Sequence, residues 1–331
     1  MWKIIGKNWK INNSSSEFKE GLFGQIILWP FELLPFLQEH SIYPDWDIKS
    51  QLYGEAPTFT VIPGIFDIAY TPPVITESRT VSFTRIRDAY TQALGNDWNA
   101  LHKLFFTYFK IPERTQRFVD SIEIPSNTLG VHYRGTDKNK AAWDTNPVTH
   151  EEMLTLIENF LIEHPEITTL FLASDEYSFV EKVKQQFLHL KSINLGKVGF
   201  FKESQDKSTK GEIALVDCIL LSKCSYLLKC SSALSAFAKI INPELRAYRV
   251  AASKFFSDVP YFPEAYIPKL SSHNPVSQRI LEKLFSNDWH DHTELRQRFD
   301  NTFQSKVRFT YYRRFINRLK FFVHLITGKF E

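Results

Sequence analysis

The amino-acid sequence predicts an α/β fold built around a doubly wound parallel sheet. Two observations carry the prediction. Between Thr128 and Ala252, short apolar runs alternate with longer segments of helical periodicity, the pattern of strands joined by crossover helices. Several of those apolar runs stop abruptly in charged or hydroxylic residues, as strands do when their carboxyl ends open onto a ligand crevice. With 331 residues and a hydrophobic fraction of 43%, the chain has material for two domains of ordinary size.

Residues 1–125 are Pro-spotted, aromatic-rich and irregular in spacing. They predict a separate, less regular α/β domain with helices at Phe18–Leu37 and Tyr90–Phe109 and short strands between. The apolar stretch Ile26–Leu37 contains Pro30, Glu32 and Pro35, so it reads as a buried helical segment and not as a membrane span. A boundary near Pro125–Thr128 opens a second domain over residues 126–270, and residues 271–331 form a helical C-terminal segment.

The first strand of the second domain is Leu129–Tyr133, which runs into Arg134-Gly-Thr-Asp-Lys138. An Arg at a strand's carboxyl end can hold two phosphate oxygens with its planar fork. The alternative is an ion pair between Arg134 and Asp137. The next helix is announced by Thr149 and Glu152, a capping box before Met153, Ile157, Phe160 and Leu161. The second strand, Thr169–Ala173, ends in Ser174-Asp175-Glu176, and the helix after it presents Phe179, Val180, Val183 and Phe187. A third strand is expected at Lys197–Phe201. The third helix, Gly211–Lys223, is apolar nearly all round except for Asp217. A buried carboxylate needs a partner. That partner is either a nearby Lys or Arg or a ligand with two adjacent N–H donors, such as the N1–H and N2–H edge of guanine.

The fourth strand, Tyr226–Cys230, ends in Ser231-Ser232 and leads into a helix over Ala233–Ile241 that stops before Pro243. The amides at such a helix N-terminus bind anions. The fifth strand is Ala247–Val250. Each polar cluster alone is ordinary helix capping. On three strands of one parallel sheet, however, they point the same way, and Arg134 with the helix N-terminus would clamp a diphosphate.

The tail from Ser305 holds seven Lys and Arg residues and one acid, Glu331. Phe315, Leu319, Phe322 and Ile326 recur at helical spacing opposite Arg313, Asn317, Lys320 and His324. This is a basic amphipathic helix, suited either to an anionic membrane surface through residues 305–331 or to docking with a solvated basic face. The net charge of only +3 gives no reason to expect nucleic acid as a partner. Three cysteines, Cys218, Cys224 and Cys230, are no disulfide framework and match no zinc spacing, so buried thiols in a reducing compartment are expected. The opening Met-Trp-Lys-Ile-Ile-Gly-Lys-Asn holds no apolar run of signal-peptide length. A cytoplasmic protein, peripheral on the inner face of the membrane, is the expectation.

Three blocks together resemble the fucosyltransferase superfamily that includes the nodulation and core α-1,6-fucosyltransferases and, more distantly, the protein O-fucosyltransferases. Gly130-Val-His-Tyr-Arg-Gly-Thr-Asp-Lys138 is similar to the family's His-x-Arg-Arg-Thr-Asp-Lys. Leu170-Phe-Leu-Ala-Ser-Asp-Glu176 resembles its Leu-Ala-Ser/Thr-Asp-Asp. Val216-Asp-Cys-Ile-Leu-Leu-Ser-Lys223, running on to Cys230-Ser-Ser-Ala-Leu-Ser235, resembles its Asp-bearing helix and following Ser-Ser strand end. A fourth block, Gly21-Leu-Phe-Gly-Gln25, is similar to the glycine-rich first turn of the family's N-terminal domain.

The resemblance implies a GT-B enzyme, two Rossmann-like domains facing across a cleft, with an acceptor-side domain over 1–125 and a donor domain over 126–270. It implies inverting transfer of fucose from GDP-fucose to a glycan hydroxyl in surface polysaccharide or glycoconjugate synthesis. No metal or other cofactor is expected, since cationic side chains can replace a divalent ion. By position, His132 and Asp217 would read guanine, Arg134 would grip the β-phosphate, Ser231 and Ser232 would contact phosphate, Asp175 the nucleotide, Gly24 the diphosphate, and Lys138 would lie near the sugar. Two positions depart from the pattern. Gly135 stands where the family has a second Arg, and the carboxylate base is Asp144, slightly out of register, or Asp137. Another GDP-sugar such as GDP-mannose, or nucleotide-sugar binding without catalysis, are the alternatives.

Overall fold

A computed structural model describes residues 3–5, 10–12, 22–23, 34–50, 53, 60–72, 79–80, 98–135, 148–195, 207–230, 232–251 and 265–268. All belong to a compact unit spanning Met1–Gln278, and Arg279–Glu331 form a second unit. The expected strand 197–201 and the segment 271–331 with its basic tail lie outside the described residues. Among the described residues no helix is long and apolar enough to cross a membrane.

The N-terminal part contributes β1 (Lys3–Ile5), β2 (Lys10–Asn12), α1 (Leu34–Glu39), β3 (Asp45–Lys49), β4 (Thr60–Ile62), β5 (Asp67–Ile68), β6 (Arg79–Thr80), α2 (Trp98–Tyr108), β7 (Phe109–Lys110) and α3 (Glu113–Asp120). Its main sheet has the order β4-β3-β2-β1-β6. Only β2 and β3 run parallel, and the other neighbours are antiparallel. In β3, Trp46 and Ile48 turn inward while their neighbours stay half-buried. A strand with one buried face alternates, which is why this region lacks the continuous apolar runs of the second sheet. Helix α3 has no counterpart in the sequence expectations. Its buried residues are Thr115 and Val119, and at eight residues with only Phe118 and Val119 as large apolar side chains it is too short for a repeating apolar pattern to be read.

The second sheet is built from β8 (Thr128–Tyr133), α4 (His150–Glu163), β9 (Thr169–Ser174), α5 (Tyr177–Gln186), β10 (Lys191–Ile193), α6 (Lys207–Ser222), β11 (Tyr226–Lys229), α7 (Ala233–Ile241), β12 (Arg246–Ala251) and β13 (Ala265–Pro268). Its six strands follow the order β10-β9-β8-β11-β12-β13, and every neighbouring pair is parallel. Counted from β8, the order is 3-2-1-4-5-6, that of a dinucleotide-binding sheet, with its reversal between β8 and β11. Both strands at the reversal are wholly buried, as central parallel strands are. The expected capping box is formed: Glu152 N donates to Thr149 Oγ1 at 3.1 Å and Thr149 N to Glu152 Oε2 at 2.9 Å.

Gly130 sets the height of α6 above the sheet. A Cβ there would lie 3.1 Å from both Cys224 Sγ and Leu221 Cδ2, so the missing side chain lets the helix lie close over β8. Helix α6 runs back against the strand direction, as a crossover helix must. Four residues towards its N-terminus are therefore about 6 Å towards the strand's carboxyl end. Two residues of strand cover nearly the same distance, about 6.6 Å. Leu221 over Gly130 thus brings Asp217 level with His132. All three cysteines are free and buried, behaving as the small hydrophobes expected of them.

The two sheets share one core. Phe237 of α7 packs against Phe105 of α2 at 4.8 Å, Phe66 at 5.8 Å and Phe23 at 5.3 Å between ring centroids. His102 Nδ1 lies 2.9 Å from the carbonyl of Ile240, a polar tie across the same seam.

Candidate nucleotide-binding site

A cavity of about 100 Å³ opens above the carboxyl ends of β8, β9 and β11. His132, Arg134, Ser174, Asp175, Lys210, Asp217 and Ser232 supply its polar lining, and Leu22, Phe23, Tyr53, Ile213 and Ala214 are among its apolar walls. The topology accounts for the location, because ligands of open α/β sheets sit at the reversal of strand order. Of the predicted residues, His132, Arg134, Asp175, Asp217 and Ser232 therefore meet in one place. Gly24, Asp137, Lys138, Asp144 and Ser231 lie outside the described residues.

His132 is 5% exposed, and its Nδ1 is buried with no hydrogen-bond partner among the described residues. Burial lowers its pKa from 6.5 to about 3, helped by the positive charges of Lys229 and Arg134. The ring is neutral at physiological pH and keeps one donor and one acceptor. Lys229 is itself wholly buried and stands in register with His132 on the neighbouring strand.

Asp217 is partly buried and opens on the cavity. Desolvation raises its pKa from 3.8 to about 7. Among the described residues no hydrogen bond or ion pair reaches it, so the Lys or Arg partner considered from the sequence is not found there. Ser232 occupies the N-cap position of α7 in an extended conformation but makes no side-chain capping bond. Its Oγ is buried and has no partner among the described residues. The ordinary capping role that the sequence allowed is thus not the one Ser232 plays.

Asp175 braces the turn after β8, where Gly135 N donates to Asp175 Oδ1 at 3.0 Å. The departure at Gly135 has a physical cause. A Cβ at that position would lie 2.2 Å from Glu176 Oε1 and 2.8 Å from Tyr133 Cε1. Glu176 is held there by His150, whose Nε2 lies 2.7 Å from Glu176 Oε2. The space that a second Arg would need is filled by an imidazole–carboxylate pair.

The chain contains one Asp-x-Asp spacing, Asp45-Trp46-Asp47. It lies on β3, where Asp47 is 3.5 Å from Lys49 Nζ, and neither acid lines the cavity. Lys210 and Tyr53 do line it and were missed in the sequence. Lys210 stands seven residues before Asp217, two turns along one helix face, and that spacing was the available signal.

No family model and no curated protein matches the sequence. Solved structures that resemble the chain include the fucosyltransferase NodZ from Bradyrhizobium, with 19% identity, 67% of this chain and 90% of that one covered, and a TM-score of 0.45. A NodZ α-1,6-fucosyltransferase soaked with GDP-fucose matches at 18% identity over 67% of this chain and 89% of that one, with a TM-score of 0.45. Arabidopsis thaliana FUT1 in complex with GDP matches at 11% identity over 72% of this chain and 50% of that one, with a TM-score of 0.35. These neighbours are fucosyltransferases.

Proposed function

We propose that the protein is an inverting, metal-independent glycosyltransferase that takes fucose from GDP-fucose and delivers it to a glycan hydroxyl. One observation carries the reading. Three polar groups with no partner among the described residues, His132 Nδ1, the Asp217 carboxyl and Ser232 Oγ, belong to the lining of a single cavity at the reversal of a 3-2-1-4-5-6 sheet, beside Arg134. Buried polar groups are otherwise paired. Unpaired ones converging on a cavity mark where a ligand supplies the partners.

Guanine fits the inner pair. Its N1–H and N2–H donate side by side to a carboxylate, and adenine offers no such pair of donors there. The neutral His132 can serve a base edge as donor or acceptor. The outer groups suit the diphosphate. Arg134 offers a bidentate fork, and Ser232 with the α7 amides forms an anion seat. As the glycosidic bond to the diphosphate breaks, negative charge grows on the β-phosphate, and fixed donors stabilise it without reorganising. The acceptor hydroxyl attacks the anomeric carbon from the opposite face, which inverts the configuration. A carboxylate base, Asp144 or Asp137, takes its proton, with Lys138 near the sugar and Gly24 and Ser231 at the diphosphate. Surface polysaccharide assembly on the inner face of a membrane, approached through residues 305–331, is the proposed setting.

Calorimetry against GDP, UDP and ADP tests the nucleotide, and a transfer assay with GDP-fucose and GDP-mannose, with and without EDTA, tests the reaction. GDP binds selectively, GDP-fucose turns over, and EDTA changes nothing if the proposal holds. Preferential UDP binding would sink it. GDP binding with no turnover of either sugar would make the protein a nucleotide-sugar binder.

A further inference from the structure

We propose that Lys210 is the second cation of the diphosphate cradle, reaching it from α6 while Arg134 reaches it from β8. The inference rests on the guanosine-diphosphate reading and names a residue outside all three sequence blocks. Lys210, Ile213, Ala214 and Asp217 all line the cavity, and their spacing makes them one face of α6. Along that face, Lys210 stands about 10 Å beyond Asp217, in the direction of the strands' carboxyl ends. With a base edge on Asp217 and His132, the phosphates of a nucleotide extend the same way, past the end of β8 and towards Arg134.

The helix is seated to bring Lys210 there. A Cβ at Gly211 would lie 2.2 Å from Ile65 Cδ1 and 3.7 Å from Tyr53 Cβ, so the bare backbone lets the first turns of α6 press onto the N-terminal part. Arg114 holds the same turn from outside, with Nη2 2.8 Å from Glu212 Oε1 and 3.5 Å from the carbonyl of Gly64. Lys210 is left only 9% exposed, its Nζ 5.3 Å from the centroid of the Tyr53 ring.

A diphosphate in the cavity would add a charge-assisted contact to a cation already drawn largely out of water. Position 135 at the end of β8 has no room for a second Arg, because Glu176 and His150 fill the space beside Gly135. Among the described residues, Arg134 and Lys210 are the two Lys or Arg side chains that line the cavity. A lysine suits the place, being a point charge on a flexible stem that can follow a phosphate as its charge grows.

The test is calorimetry on the full chain with GDP, guanosine and inorganic pyrophosphate, comparing wild type with Lys210→Met and Lys210→Arg. Loss of one charge-assisted contact lowers GDP affinity about 10- to 100-fold. We expect Lys210→Met to show that loss for GDP and pyrophosphate and to bind guanosine as wild type does. Lys210→Arg should recover most of the GDP affinity. Equal GDP binding by wild type and Lys210→Met overturns this role alone and leaves the nucleotide reading standing. Parallel loss of guanosine also overturns it, since the residue would then be structural. A wild type that binds neither GDP nor guanosine removes both proposals.

Discussion

Replacing Asp217 with Asn should separate stability from binding, because its buried carboxyl lowers the stability of the fold and, in the proposed reading, accepts from guanine. Its folded-state pKa is raised from 3.8 to about 7 by burial. The folded protein therefore prefers the protonated form. The group's contribution to stability is fully present below pH 3.8 and is lost as pH rises through about 7. At about 1.4 kcal/mol per pKa unit, the loss is on the order of 2–4 kcal/mol at pH 8, the lower figure allowing for solvent at the cavity mouth. Asparagine does not titrate, so Asp217→Asn should melt roughly 3–6 °C higher than wild type at pH 8 and show no advantage at pH 4. The same change removes two charge-assisted contacts to guanine and should weaken GDP binding at least about 100-fold. Xanthosine diphosphate, which carries an oxygen in place of the 2-amino group, should gain affinity for the variant, since the Asn amide can donate to that oxygen. Scanning fluorimetry across pH and calorimetry with the two diphosphates read both effects. A variant that melts no higher than wild type at pH 8, or that keeps wild-type GDP affinity, refutes the reasoning.

Guanosine, which has no titrating phosphate, isolates the proton linkage. Its affinity should rise about tenfold per pH unit between pH 5 and 7 and then level off, with one proton released per binding event in calorimetry at pH 6; a flat profile would exclude Asp217 as the base contact. Arg134→Ala should reduce transfer by about 100-fold or more with an unchanged melting curve, and near-normal turnover would remove Arg134 from the mechanism. Ser232→Ala deletes a buried hydroxyl with no partner among the described residues, so stability should hold or improve while GDP affinity falls. Gly135→Ala forces a Cβ against the Glu176 carboxylate and should cost roughly 1–3 kcal/mol; the Gly135→Ala, Glu176→Ala pair should recover part of it, and a neutral single variant would show that the His150–Glu176 pair gives way freely.

The second sheet was legible because its signals are local and redundant. Thr149 and Glu152 announced α4, continuous apolar runs announced β8, β9 and β11, and a lone acid among apolar neighbours announced Asp217. The N-terminal sheet was not legible in its detail. Its strands are short and mostly antiparallel, and β2 pairs parallel to β3 across an intervening helix, a choice made by tertiary packing. At the edge of the second sheet, the strand that pairs with β9 is Lys191–Ile193, whose short polar character suits an edge and gave little pattern to read. Lys210 escaped notice because the apolar periodicity of α6 begins at Gly211. Its position depends on Tyr53 beside it and on Gly211 packing against Ile65, residues far away in sequence.

The three thiols have a practical use. Cys218, Cys224 and Cys230 are the only cysteines in the chain, all are buried, and all lie along α6, β11 and the turn into α7, the wall that holds Asp217 and Ser232. Burial raises the pKa of Cys218 and Cys224, so their reaction with alkylating reagents waits for that layer to part from the sheet. The rate of labelling is thus a built-in clock for local opening of that wall, and its slowing on addition of GDP would report occupancy of the cavity without any engineered probe.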